Sequence, residues 1–498
     1  MRAYIIATHT IIEPFNDPIG ETLLLDRPFK RVQEEALKAA GLEPVPVSSL
    51  RDIPTSNDSR IISESAIILH DTLFSTSRLF TEMLKLTTGL VKPFQVWAKK
   101  GLFTRLLGIL QEQSENEEAV AFPLWYVPAG TSPDALSDAA PLVLDIDEDS
   151  YAGNFPEHMI KKEGYRFGVT SRPIMAVTHA LHLALANMAA NFARLAELKK
   201  MSWPQKIYTL LKARSINKFR ILSAVSRIHP EAEVHPTAVI EGSVIEKGAK
   251  IGAHAVVRFS YVGKNAFIDD QAGIKFSVVG NGAYIANNCV LFFTTVYPRA
   301  FLISGPYQFS LFGYDSAMMN AIPSDYRLDG EAISVRTSRG VVSTGLKFVG
   351  SVIGHRTKIA AGVIVAPGRM VPNDLQILPD PARVLTTVSP GTPLNRPLFL
   401  IDGKLVPASS VPSSTGTSFP IRASSSSSSS RPSSLPSSSN SSGQPGRSPV
   451  SSRPDQKPTP IQANNPVKET LRHERGNLRQ GPGRLSGSPR RPTGKNHI

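Results

Sequence analysis

Several groups in this chain have types and spacings suited to phosphate, metal or proton chemistry. Asp71 closes the apolar run Ala66–His70, and a carboxylate at a strand end can hold Mg²⁺ against phosphate oxygens. It reads equally as a turn or helix cap before Ser75. Asp145, Asp147 and Glu148, in LVLDIDEDS, can supply a second metal ligand or form a solvated acidic loop. Lys30 and Arg31, and the pair Lys99 and Lys100, can meet phosphate or simply face water. His179 and His182 lie three apart on one helix face, which permits a shared metal, yet no third ligand accompanies them and packing is the other reading. Acyl transfer would need a general base to deprotonate an amine or hydroxyl, and histidine is the side chain that most often serves. Residues 256–354 contain none, and His229 and His235 lie in the turn sequences HPEAE and HPTAV, so His254 and His355 remain as candidates. Cys289 is the single cysteine, which excludes an internal disulfide framework and a Cys-rich zinc site.

Alternating strand and helix signals must position the N-terminal groups. Arg2–Ala7, Pro44–Val47, Ala66–His70, Ala119–Val127 and Leu142–Ile146 read as strands. Asp26–Gly41 reads as a helix with Asp26 as cap and Gly41 as terminator, and Ser75 caps another reaching Leu84. Arg172–Met201 reads as a long helix and Pro204–Arg227 as a helical connector. This order implies a mainly parallel, Rossmann-like α/β sheet with ligands at the carboxyl ends of its strands.

A repeat dominates the middle of the chain. Aliphatic residues recur at Ile228, Val234, Ile240, then Ile245, Ile251, Val257, then Val262, Ile268, Ile274, then Val279, Ile285, Leu291. The spacing is six, six, five, so each triplet lies 17 residues after the last. This period fits a three-sided coil whose inward residues stack turn upon turn. Alanines stand four residues after the aliphatic position on two sides, and Cys289 occupies one of those slots, which makes it a small buried hydrophobe. The pattern stops near Tyr297 and resumes as Val342, Phe348, Ile353, Ile359, Val365, Val371 and Ile377. Residues 297–338 therefore read as an inserted loop, suited to covering a site or meeting another subunit.

The 17-residue coil of hexapeptides resembles the left-handed parallel β-helix of the hexapeptide-repeat transferases. An α/β domain followed by such a prism is similar to the sugar-nucleotidyltransferases, and most to the bifunctional N-acetylglucosamine-1-phosphate uridyltransferase/acetyltransferases. LLLDRPFKRVQEEALKAAGL looks like that family's segment leading into its first helix, and AIILHDTLFS like its strand ending in a metal-binding aspartate. The resemblance implies a homotrimer, Mg²⁺ at Asp71 with Asp145 or Asp147, a nucleotide-sugar or sugar phosphate near Thr8, Lys30 and Arg31, and acyl-CoA at the prism. The chain departs from it in two places. The first loop, Thr8 to Pro14, has no glycine, no Lys or Arg, and carries Glu13, so backbone N–H groups cannot cradle a triphosphate closely. Arg258 stands where the family places a histidine before the turn Tyr261-Val262-Gly263, and an always-charged guanidinium is a poor base.

Charge separates the last part of the chain. The net charge is +14, and from residue 401 onward 14 Lys/Arg face 4 Asp/Glu. That segment is rich in Ser and Pro with few large apolar residues, so it reads as a disordered tether able to contact a polyanion. No aromatic residue interleaves Arg472, Arg475, Arg479, Arg484, Arg490 and Arg491, which argues against a base-stacking platform. No apolar stretch is long enough to span a bilayer and the first residues lack a secretory pattern, so a cytoplasmic protein is expected. The division is 1–202 as the nucleotidyltransferase-like domain, 203–227 as connector, 228–296 as β-helix, 297–338 as insertion, 339–404 as β-helix continuation and cap, and 405–498 as tail. The function expected is a transferase of sugar-nucleotide or cell-envelope metabolism with an eroded catalytic signature. A non-catalytic trimeric scaffold and an acyl-CoA-dependent acyltransferase are the alternatives.

Overall fold

The computed structural model describes residues 1–56, 60–111, 113–152, 166–199 and 201–407. The tail expected from 405 onward, with its disorder and polyanion contact, lies outside them except for residues 405–407. Among the described residues no helix is long and apolar enough to cross a membrane.

Short aliphatic runs near the N-terminus form a six-stranded sheet. Its order is Ala140–Leu144, Phe94–Lys99, Ala119–Val127, Ala66–His70, Arg2–Ile6, Glu43–Val47. All run in one direction except Ala119–Val127, which is antiparallel to both neighbours. Strand Phe94–Lys99 is absent from the sequence reading because Gln95, Trp97 and Lys99 interrupt its apolar pattern. The helix expected from Arg172 begins only at Ala180. Residues Ile174–Ala176 instead pair with Leu73–Ser75, and Val177 donates its N–H to the Thr72 carbonyl. Asp26 does not cap the first helix, Phe29–Ala39, which starts after Pro28. Asp26 has a left-handed φ of 62° and turns its carboxylate away.

The repeat builds a prism of three parallel sheets with eight, eight and five strands. Its stacked parallel faces fit a left-handed β-helix. Pairing follows the 17-residue period: Ile245 faces Val262, Val262 faces Val279, and Val279 faces Val296. These stacked side chains are essentially inaccessible, and each stabilises the fold by about 1.5–3 kcal/mol. Cys289 is fully buried among them, and burial pushes its thiol up to about 12.

A hydroxyl column runs up one corner inside the coil. Ser226 Oγ accepts from Ser243 N–H, Ser243 Oγ from Ser260 N–H, Ser260 Oγ from Ser277 N–H, and Ser277 Oγ from Thr294 N–H. Each hydroxyl satisfies a buried donor of the next turn that the sheets leave unpaired.

The coil does not stop at Tyr297. Phe301–Ile303, Tyr307–Gln308, Leu311–Phe312, Ala317–Met319 and Ile322–Pro323 all pair within the prism. The pattern is hidden because one turn holds 16 residues, with Leu311 pairing Thr295, and because Phe312 and Met318 replace aliphatic residues. The true excursion lies between Ile322–Pro323 and Val352–Ile353 and carries the hairpin Ser334–Thr337 with Gly340–Ser343. Val342 lies in that hairpin, and Phe348 bridges to Tyr326, so neither belongs to the coil series.

Replacing Ser260 with Ala should leave the buried Ser277 N–H without an acceptor. We expect a loss of about 1–3 kcal/mol by chemical denaturation. Ser260→Thr should retain most of the stability, because Thr294 stands in the same column and its hydroxyl donates to the carbonyl two residues back, as those of Ser260 and Ser277 do.

Candidate functional site

The carboxyl edge of the sheet faces the prism, and the loop after the first strand is fixed there. Phe15 stacks on the His355 ring at 4.6 Å and on Tyr297 at 5.6 Å. Asp17 Oδ2 lies 3.0 Å from His355 Nε2, and Asn373 Nδ2 donates to the Phe15 carbonyl at 2.7 Å. His355 Nδ1 accepts the Tyr314 N–H at 2.9 Å, so the proton sits on Nε2, facing Asp17. Both ring nitrogens are thereby occupied, and this histidine joins two parts of the molecule with no lone pair for a substrate. Gly313 leaves room for the ring, since a Cβ there would lie 2.6 Å from Nδ1. Further along the seam, Tyr297 Oη accepts Leu23 N–H at 2.9 Å, and Asn187 bonds Leu25 N–H and the Leu23 carbonyl, both at 2.9 Å.

His254 takes a different role. It is exposed, with φ of 58°, at a left-handed corner occupied by Gln271 and Asn288 in the next two turns. Its place in that corner series explains its presence without chemistry, although its imidazole faces solvent.

Thr8 and Asp71 come together at adjacent strand ends, with Thr8 Oγ1 donating to Asp71 Oδ1 at 2.6 Å. Asp145 and Asp147 follow the edge strand, three ladder steps from the strand of Asp71, or roughly 14 Å across the sheet. Asp145 accepts the Asp147 N–H, and Asp147 approaches Arg172 at 3.6 Å. Among the described residues no group of three ligating side chains could hold a metal. Asp71 and the Thr8 hydroxyl would leave most of an octahedral Mg²⁺ shell to water and substrate oxygens. Lys30 pairs with Glu21 at 2.5 Å and Arg31 with Glu35 at 3.0 Å, both exposed on the first helix and its approach. Lys99 is exposed, and Lys100 pairs with Glu115 at 3.0 Å.

The histidine pair binds backbone and not metal. His182 Nε2 meets the Ile109 carbonyl at 2.6 Å while Nδ1 accepts from Thr178 N–H, and burial pushes it down to about 4. His179 Nε2 meets the Arg336 carbonyl at 3.2 Å and Nδ1 accepts Leu181 N–H, and burial lowers it as well. Both imidazoles are neutral at pH 7.

That last contact reveals a site the sequence reading missed. The hairpin of the prism's excursion reaches back to the α/β domain and closes a groove beside loop 8–16. Three contiguous hollows of about 740, 470 and 500 Å³ form it. Gln111 and Gln113 line both the first and second, and Glu13 and Arg336 both the second and third. Arg105, Arg336, Arg339 and Arg369 lie along its length, while Glu148 already fills the helix N-terminus at Leu102 and Phe103 with two 2.7 Å bonds. Both amide atoms of Gln113 are buried without a hydrogen bond among the described residues. Arg336 is exposed and makes no ion pair among them. The signal in sequence was the run SVRTSRG, which a reading of 297–338 as an independent loop left without a partner.

No protein-family model matches the chain. A stretch of 56 residues is 39% identical to the putative uncharacterized acetyltransferase YaiX of Escherichia coli K12, covering 11% of this chain and 24% of that protein. The uncharacterized acetyltransferase YaiX of Escherichia coli O6:K15:H31 strain 536 matches to the same identity and extent. The chain thus spans about a quarter of the length of these curated relatives. Among solved structures, a hexapeptide transferase family protein from Anaplasma phagocytophilum aligns at 17% identity over 30% of this chain and 72% of that one, with a TM-score of 0.20.

Asp26 gives the seam a measurable pH dependence. Its Oδ2 accepts the Asn281 N–H at 3.1 Å, its Oδ1 has no partner among the described residues, and burial raises it to about 7. A carboxyl raised on folding contributes stability below about pH 4 that is lost as pH rises through about 7. Asp26→Asn should match the wild type near pH 4 and exceed it near pH 8 by a few kcal/mol at most, about 1.4 for each pH unit titrated. Melting curves across that range check it.

Proposed function

We propose that the chain is a hexapeptide-repeat transferase whose nucleotidyltransferase-like domain binds an anionic sugar ligand, a sugar phosphate or nucleotide-sugar, in the groove beneath hairpin 334–343. The observation that supports this reading is Arg336, an exposed guanidinium without an acidic partner among the described residues. It stands at the carboxyl edge of the sheet beside Arg339 and Arg369. A guanidinium fork matches phosphate oxygens in pairs, and the groove is long enough for a ligand with both a charged and a polar end. Gln113 offers the polar end an unsatisfied amide. Metal-dependent nucleotidyl transfer is not part of the proposal, because Asp71, Asp145 and Asp147 do not converge. The prism is proposed to assemble the protein as a homotrimer, as the family resemblance implies.

Acyl transfer at the prism is the second reading. The similarity to the YaiX proteins favours it, and His254 is the solvent-facing imidazole it would use.

A thermal-shift titration of the full chain separates these readings. A ligand at 100 times its Kd stabilises by about 2.7 kcal/mol. Nucleotide-sugars or sugar phosphates should raise the melting temperature without Mg²⁺, and Arg336→Ala should weaken binding on the order of tenfold or more while leaving the unliganded melt unchanged. A shift with acyl-CoA alone, abolished by His254→Ala, would replace the groove with the prism as the site. No shift with any of these ligands would leave the scaffold role.

A further inference from the structure

The connector between the two domains is built inside out. Its first helix, Trp203–Ala213, buries Thr209 and Ala213. On the opposite face Trp203, Ile207 and Leu211 form a stripe at i, i+4 and i+8, with Tyr208 beside it. Trp203 is 74% exposed and Leu211 70% exposed. Ile216, in the turn that follows, is 93% exposed, and Phe219 on the second helix, Lys218–Ala224, is also exposed. The inward side of the hairpin meanwhile borders an apolar cavity of about 400 Å³. Large side chains that could fill it face water instead, so burial within this chain does not account for their placement.

Charge identifies the partner. Residues 201–230 contain six cations, Lys206, Lys212, Arg214, Lys218, Arg220 and Arg227, and no Asp or Glu. All six are exposed. Arg227 alone approaches a carboxylate, Glu246 at 3.6 Å, and the other five have no acidic partner among the described residues. Two copies of this face meeting about a two-fold axis would set cation against cation, and in a three-fold assembly a different patch of the neighbouring copy would have to bring enough carboxylates to match six cations. A duplex surface would satisfy the cations but leave the apolar stripe in water. An anionic bilayer satisfies both, with Trp, Tyr and Leu entering the headgroup boundary and Lys and Arg reaching phosphates around them. The tail beyond residue 401, with 14 Lys/Arg against 4 Asp/Glu, would be drawn to the same surface.

We propose that helix Trp203–Ala213 and the turn to Lys218 form an interfacial docking face for an anionic lipid surface. The face holds the protein peripherally through Trp203, Ile207, Leu211 and Ile216 and the surrounding cations. The proposal is independent of what the groove binds.

The test uses the full chain and sedimentation with phosphatidylcholine vesicles, with and without phosphatidylglycerol. The wild type should pellet with the anionic vesicles alone, and should be released at about 1 M salt, where the Debye length is about 3 Å. Its tryptophan emission should shift to the blue on binding, and Trp203→Phe should remove most of that shift. The double variant Trp203→Ala, Leu211→Ala should bind on the order of tenfold more weakly with an unchanged melt, since both side chains are exposed. Undiminished binding by this variant would assign the membrane contact to the tail and overturn the proposal. Absence of binding to anionic vesicles, or a smaller oligomer for the variant in sedimentation velocity, would also overturn it, the latter by naming a second copy as the occupant.

Discussion

The stacking of Phe15 on His355, locked by the Asp17 carboxylate and the Asn373 amide, sets the arrangement of everything around it. Loop 8–16 leaves the first strand at the sheet edge where such folds bind ligands. In a nucleotide-binding domain that loop must stay supple and glycine-rich so that phosphate can approach its backbone. Here Ile12, Pro14 and Phe15 are buried, and the segment reaching Asp26 is fastened to Tyr297, Asn281 and Asn187. A loop fastened along its length to the prism has few free backbone N–H groups to turn toward a phosphate. The absence of glycine and the presence of a buried aromatic are two consequences of one structural demand.

The prism imposes the complementary constraint. Its turns repeat every 17 residues because inward aliphatics must stack and each corner must return the chain at the same height. Such a coil accepts extra chain only between strands, where an excursion can leave without breaking a ladder. The excursion after Ile322–Pro323 does this, and sheet pairing resumes with Leu311 against Val352 across it. Since the α/β domain is pinned to the same flank, the hairpin emerges opposite loop 8–16. The groove therefore follows from the seam and the excursion together, and neither domain would form it alone.

Legibility in the sequence followed the range of the interactions concerned. The repeat was visible because each side of the coil is six or five residues long and its interior is filled by chemically similar neighbours. Strands such as Ala66–His70 were visible as local apolar runs. Phe94–Lys99 was not, because Gln95, Trp97 and Lys99 lie in a strand that borders solvent on part of its surface. The 16-residue turn hid the coil from Val296 to Pro323, since a single deletion shifts every later position. The groove was hidden for a stronger reason. Gln113, His179 and Arg336 are far apart in the chain, and only the docking of two domains brings them together. His355 was found by elimination as a candidate base, but its two hydrogen bonds could not be read from residue type.

The histidines held by hydrogen bonds point to the kind of chemistry the molecule has room for. His179, His182 and His355 each spend both ring nitrogens on fixed partners, and two of them are held neutral by burial. An imidazole in that state cannot take a proton from a substrate without first breaking a structural hydrogen bond. Proton transfer at the centre of the molecule is thus disfavoured by the contacts that make the seam rigid. What remains accessible is fixed positive charge, with the guanidinium groups of Arg336 and Arg339 on the hairpin and of Arg369 beside it lining the groove. The proton-sensitive element, Asp26, sits within the seam, where its ionisation changes how firmly the two domains hold together.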